Sequence, residues 1–195
     1  VIKYGINPPP KEALLTRDEL NVKFGLNPDK DIILSCGGFW RHKGFKELAE
    51  CFRNVNPKQL QLILTGYDWQ GYDKSIESEN IKQLYLEDLI DVYSFMSHAK
   101  QYIMNSTDEG FGLVLLEASF YGVPWLSRAV GGAPDLAEAG LGMLYEADAA
   151  LTTWIKRFDE NMVKPNPATP EELHNYVVEH YDPMVVTENL LSVLS

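Results

Sequence analysis

Short apolar runs alternate with helical stretches along this chain, and glycine turns follow several of the runs. Residues 31–36, 60–65, 101–104, 124–127 and 142–145 have the length and apolar character of buried strands. Residues 14–24, 45–54, 86–96 and 112–121 read as helices, with Thr16 as N-cap of the first and Glu87 and Asp88 in the opening turn of the third. Gly131-Gly132-Ala133-Pro134 leads into a further short helix, with Pro134 near its first position. Residues 151–159 and 170–179 read as surface helices and 185–194 as a terminal one. Strands alternating with helices imply an α/β fold, a Rossmann-like parallel sheet with helices on both faces. Ligands in such sheets bind beyond the carboxyl ends of the strands. The glycine turns at 37–38, 66, 110–112 and 131–132 fall where those ends should be. A chain of 195 residues, 45% hydrophobic, suits one domain with a full core.

The chemistry concentrates in residues 107–124, TDEGFGLVLLEASFYGVP. Glu109 stands in a loop, Gly110-Phe111-Gly112 follows, and Glu117 lies inside an apolar helix that Gly122 and Pro124 end. Leu113, Val114, Phe120 and Tyr121 share the face of Glu117, so the helix reads as buried nearly all round. A carboxylate there needs a hydrogen-bonding partner, either protein or a polyhydroxylated ligand. Gly110 and Gly112 would let a ligand approach free backbone N–H groups at the positive end of the helix dipole, which is an anion site. A phosphate cradle beside two acids that can accept from hydroxyls describes a sugar nucleotide. Lys43 adds a cation: it follows the 31–36 strand across a glycine loop, just before a helix, where it can reach a bound diphosphate.

These segments resemble the retaining glycosyltransferases of family 4, which have the GT-B fold. Their signature, E-G-F-G-L-x-x-x-E-A followed by G and P, stands here as Glu109 to Ala118 with Gly122 and Pro124. VIKYGIN at 1–7 is similar to the family's interdomain segment, CGGFWRHKG at 36–44 to its G-R-x-x-x-x-K-G loop, and AVGGAPDL at 129–136 to its V-G-G-x-P-E. The resemblance covers nearly the whole chain but only the C-terminal, donor-binding half of a typical member. It implies one nucleotide-sugar-binding domain over 1–195, with 1–10 as interdomain linker and 151–195 as C-terminal helices. An N-terminal acceptor domain would lie elsewhere in the parent chain, holding a glycan, lipid or protein acceptor. The implied donor is a nucleotide-diphosphate sugar, with no further cofactor and no metal at the donor site. Glu109 would orient the transferred sugar and Lys43 would neutralise the leaving diphosphate. Gly37, Gly38 and the backbone of Gly110, Phe111, Gly112 and Leu113 would line the donor site, and Glu117 would hold the ribose. A domain of this kind alone would bind donor without transferring sugar.

Three departures qualify the resemblance. The family's diphosphate-binding Arg is Gly38 here, with Arg41 the nearest replacement; Asn105-Ser106 stands for Pro-Ser; and residues 81–86, near the family's nucleobase, lack the usual glycine. Gly38 favours a second reading, a non-catalytic nucleotide-sugar-binding or interaction module on the same fold. An NAD-binding Rossmann domain is disfavoured, because no GxGxxG follows the first strand. A net charge of −11 without a basic block argues against nucleic acid and anionic membrane as partners. No apolar run approaches the ~20 residues of a membrane span. Cys36 and Cys51 form no CxxC, so a disulfide framework is not expected and a reducing cytoplasm is the default compartment. Asp68, Asp73 and Glu77 lie in a polar loop without metal-ligand spacing, Trp69 in that loop and Trp40 are aromatic candidates for stacking, and Trp125 reads as core. His42 lies beside Lys43, and His98 reads as a helix-end residue.

Overall fold

The computed structural model describes residues 5–66, 73–160 and 168–194. Six strands form one sheet: β1 (Asp31–Cys36), β2 (Leu60–Gly66), β3 (Ile81–Tyr85), β4 (Ala99–Met104), β5 (Trp125–Arg128) and β6 (Gly142–Tyr145). Their spatial order is β3-β2-β1-β4-β5-β6, and every pairing is parallel. The helices are α1 (Arg17–Phe24), α2 (Phe45–Val55), α3 (Leu89–His98), α4 (Leu113–Phe120), α5 (Ala133–Glu138), α6 (Asp148–Asp159), α7 (Pro170–Tyr181) and α8 (Pro183–Leu194).

Alternation along the strands divides the core into two layers. Ile32 and Leu34 of β1 join Tyr102, Trp125, Phe95, Leu115, Leu116, Leu173 and Val177 on one face. Ile33 joins Leu62, Leu64, Ile103, Leu126, Leu48, Phe52, Leu151 and Ile155 on the other. The expected Rossmann-like parallel sheet with both faces covered is therefore what the chain forms. Residues 151–159 and 170–179 are structural layers rather than surface additions: α6 packs on α2, α7 packs on α4, and each contributes buried residues to a core. The segment near the N-terminus is tied to the same body, with Ile6 N–H donating to Tyr181 O at 2.9 Å and the Tyr121 hydroxyl to Pro9 O at 2.7 Å.

Three elements differ from the sequence expectation. Strand β3 falls where no strand is expected. It is an edge strand, paired among the described strands with β2 alone, and its alternating buried positions carry Ile81 and Gln83. A polar residue in a buried slot erases the apolar signal. The third helix begins at Leu89 rather than 86, because the Asp88 side chain accepts from Ile90 N–H at 2.8 Å and caps it, which leaves Glu87 outside the helix. The first helix likewise starts only after Thr16, the expected N-cap, which forms a capping box with Glu19. Asp68 and Trp69 lie outside the described residues. Asp73 caps a 3-10 turn at Lys74–Ile76 through Ser75 N–H, and Glu77 accepts from Gln83 N–H at 3.4 Å. Trp125 is fully buried, as expected of core.

Trp125 also fixes the β5–β6 register. Gly142 pairs with it, and a Cβ on Gly142 would come within 2.2 Å of the indole. The Trp125 Nε1–H donates to Ser119 Oγ at 3.1 Å, so the ring has little freedom to move. Gly142→Ala is therefore expected to lower the unfolding free energy by about 1–3 kcal/mol, the usual cost of overpacking. The cost should shrink in a Trp125→Leu background; equal urea midpoints for wild type and Gly142→Ala would contradict this packing.

Candidate donor-binding cleft

After β1 the chain turns through Gly37 and a 3-10 turn, Arg41–Lys43, into α2, which covers one face of the sheet. After β4 it runs through residues 105–112 into α4, which covers the other face. Neighbouring strands whose connections leave to opposite faces open a crevice between them. That crevice is a cleft of about 600 Å³, lined at its edges by Gly37, Lys43, Thr65, Gly66, Glu109, Gly110, Phe111, Gly112, Leu113 and Glu117.

Lys43 Nζ lies 2.5 Å from Glu109 Oε1, and the Ser106 hydroxyl donates to the same oxygen at 2.8 Å. Both side chains are largely buried. Among the described residues Glu109 Oε1 takes both of these contacts and no hydrogen bond falls on Oε2. The acidic loop rests on the Gly131-Gly132 turn: Gly132 N–H donates to Phe111 O at 3.0 Å, and a Cβ on Gly131, whose φ is +56°, would meet Gly110 O at 2.4 Å. That close approach requires glycine. Around Gly110 itself a Cβ would meet nothing within 4 Å, so the space beside it is open. No side chain caps the N-terminus of α4, which begins at Leu113 on the cleft wall. Leu115 N–H bonds back to Gly112 O at 2.9 Å, and a helix start of this kind can offer its remaining N–H groups to an anion.

Glu117 lies one turn further along α4. The helix is not buried nearly all round: Leu115, Leu116, Ala118 and Ser119 face the core, whereas Leu113, Val114 and Glu117 line the cleft. The Tyr93 hydroxyl of α3 donates to Glu117 Oε1 at 3.0 Å. Burial raises the Glu117 carboxyl above the ordinary glutamate range, and the Tyr93 hydrogen bond offsets only part of that rise. Burial and the Glu117 charge push the Tyr93 phenol upward in turn. At the floor of the cleft, burial pushes the Cys36 thiol up to about 12, so it is no nucleophile at neutral pH.

The structure thus brings Gly37, Lys43, Glu109, Gly110, Phe111, Gly112, Leu113 and Glu117 together, and leaves two expected residues aside. Gly38 lies under Trp40, whose indole a Cβ would approach to 3.0 Å. Arg41 is exposed and lines a separate depression with Phe39, Lys46, Glu47 and Asp73. The His42 ring stacks on Trp40 at 5.7 Å, and a His98 ring nitrogen meets Leu15 O at 3.0 Å at the end of α3. Sequence reasoning missed Tyr93 and the wall made by Leu86, Leu89 and Val92. These apolar residues carry the helical spacing of core positions, yet Leu89 is 66% exposed at the cleft.

Residues 16–176 match the family described as Glycosyl transferases group 1, and the chain belongs to that family. It is 31% identical over 126 residues to a trehalose synthase of Pyrococcus horikoshii, covering 56% of this chain and 30% of that protein. It is 26% identical over 130 residues to an N-acetyl-alpha-D-glucosaminyl L-malate synthase of Bacillus anthracis, covering 63% and 33%. The chain thus spans about a third of the length of these relatives. Among solved structures it is similar to a glycosyltransferase from Rickettsia africae (TM-score 0.80, 18% identity, 98% of this chain and 55% of that one). It is also similar to HepE of Anabaena in complex with UDP-glucose (TM-score 0.74, 19% identity, 93% and 54%). These structural likenesses establish the GT-B-type fold of the domain.

The raised Glu117 carboxyl has a consequence for stability. Its contribution is full below the unfolded glutamate value, about 4.3, and is lost as pH rises through the higher folded value. Glu117→Gln removes that loss while keeping an acceptor for Tyr93. Its stability relative to wild type is therefore expected to grow as pH rises from about 4 to 7. A difference in unfolding free energy that stays flat across that range would contradict the burial of this carboxyl.

Proposed function

We propose that this chain is the donor-binding domain of a retaining glycosyltransferase, holding a nucleotide-diphosphate sugar in the cleft between the β1 and β4 ends. The observation that carries the reading is the convergence of Lys43, Glu109, the uncapped start of α4 and Glu117 on one cleft. In this reading the diphosphate lies against the first N–H groups of α4, with Lys43 as its counter-cation. Negative charge grows on the leaving diphosphate as the glycosidic bond breaks, and fixed donors aimed there stabilise it. Glu109 Oε1 is already engaged, so Oε2 is the oxygen offered to the transferred sugar's hydroxyls. Glu117, steadied by Tyr93, accepts from ribose hydroxyls, and Leu86, Leu89 and Val92 give the nucleotide an apolar wall.

The complex of the similar HepE with UDP-glucose supports a nucleotide-sugar donor, and makes UDP the first nucleotide to try. The chain covers about half of such structures, which supports a second, N-terminal domain that presents a glycan, lipid or protein acceptor. Neither a metal nor a further cofactor is assigned to the donor site, and retention of configuration is the expected outcome. The alternative, a non-catalytic module, draws on one observation: the place of the family's diphosphate-binding Arg is Gly38 covered by Trp40.

Calorimetric titration with UDP, ADP and GDP beside their nucleosides tests the donor reading. Wild type is expected to prefer a diphosphate over its nucleoside, and Lys43→Ala to reduce that preference by about tenfold, or roughly 1.4 kcal/mol. The preference should weaken with added salt. Binding of no nucleotide would overturn the donor reading. Loss of nucleoside and diphosphate affinity together in Lys43→Ala would place the anion elsewhere. A second expectation separates domain from enzyme: the purified chain binds donor but transfers no sugar, and sustained transfer by it alone would contradict the need for an N-terminal domain.

A further inference from the structure

Asn105 closes β4 and is 1% exposed, in the place where the family has proline. Both ends of its side-chain amide are engaged. Nδ2 donates to Gly44 O at 2.8 Å, and Oδ1 accepts from Arg128 Nε at 3.0 Å and from the Tyr145 hydroxyl. The partners fix its sense: a reversed amide would set oxygen against the Gly44 carbonyl and N–H against a guanidinium. Arg128 is itself held, paired with Asp148 at the start of α6 and lying over the Tyr145 ring at 5.5 Å. Gly44 is the N-cap of α2, and its carbonyl also accepts the first helical bond, from Leu48 N–H at 3.0 Å. Its φ is +65°, and a Cβ there would come within 2.4 Å of Asn105 O, so the two backbones are in contact. Just beyond, Thr107 N–H donates to His42 O at 2.8 Å. The residues flanking Lys43 on both sides are thus bonded to the strand end from which Glu109 hangs.

We propose that Asn105 is a positioning residue, whose amide clamps the start of α2 to the end of β4 and so sets Lys43 against Glu109 at the diphosphate corner of the cleft. The proposal rests on the donor-site reading for its functional consequence, but the clamp itself is a property of the fold. The arrangement divides the labour of one amide. Its oxygen anchors to the β5–β6 side through Arg128 and Tyr145, and its N–H reaches across the crevice to the β1 side. In this chain a buried amide would do by hydrogen bonding what the family's usual residue at this place cannot, because proline has neither a side-chain donor nor a side-chain acceptor.

Asn105→Asp tests this selectively. It keeps acceptor oxygens for Arg128 and Tyr145 but removes the donor to Gly44 and sets a carboxylate oxygen against that carbonyl. Tyr145→Phe is the contrast, removing one donor to Oδ1 and leaving the Gly44 bond. Amide hydrogen exchange reads the clamp without any ligand. In Asn105→Asp, exchange at Thr107 is expected to rise at least about tenfold relative to wild type, with Tyr102 in β4 unchanged. In Tyr145→Phe both should stay as in wild type. Titration with UDP and uridine then reads the consequence: Asn105→Asp is expected to lose about tenfold of the preference for the diphosphate, with uridine affinity unchanged. Unchanged exchange at Thr107 would overturn the proposal, as would equal loosening of Thr107 and Tyr102 or an equal effect of Tyr145→Phe. If exchange responds as expected but wild type itself shows no diphosphate preference, the clamp stands and the donor-site reading falls.

Discussion

The adjacency of β1 and β4 governs this molecule. The two strands run parallel, side by side, yet the chain leaving β1 turns to one face of the sheet and the chain leaving β4 to the other. Covering both faces with α2 and α4 makes the two departing loops diverge, and the space between them cannot be filled by either helix. The cleft follows from that divergence. So does the uncapped start of α4 on its wall, because the loop before it must bend away from the sheet through Gly110, Phe111 and Gly112. The glycine pair at 131–132 supports the bend from behind, backbone against backbone.

Charge within the cleft is unevenly balanced. Among the described residues that line it, Glu87, Glu109 and Glu117 face one cation, Lys43. Two arrangements ease the imbalance. Lys43 is paired with Glu109, and at Glu117 burial raises the carboxyl while the Tyr93 hydroxyl donates to its charged form and offsets part of that rise. An anion entering this space therefore meets helix-terminal N–H groups and a cation whose present partner is a carboxylate. Its binding must compete with or share that ion pair, which ties affinity to the geometry between the 41–44 turn and the 105–109 loop.

Much of this was legible in the sequence. The strand–helix alternation and the glycine turns gave the sheet and the strand ends, because a parallel strand buried along its length, such as β2, carries an apolar run, here Leu62 to Leu64. Glu109, Glu117 and Lys43 stood out because a carboxylate in an apolar helix and a lysine after a glycine loop are hard to explain by packing alone. Other features were hidden for physical reasons. β3 carries Gln83 in a buried slot and pairs along one edge only, so it lacks the apolar signature. Leu89 and Val92 have core spacing but open on the cleft, since which side of a helix finds a partner is decided by tertiary packing. Tyr93 meets Glu117 only because α3 and α4 pack together, and no local pattern encodes that. The placement of Trp40 over Gly38, with Arg41 turned to another depression, is likewise a property of the folded loop.

In the proposed donor site the start of α4 and the Lys43 loop form one anion-binding corner. Backbone amide mapping of the 15N-labelled chain during titration with UDP tests it most directly. The largest shifts are expected at Gly37, Lys43 and residues 110–114, with the Arg41–Asp73 depression unaffected at the same occupancy. Saturable shifts centred on that depression, with residues 110–114 unmoved, would contradict it.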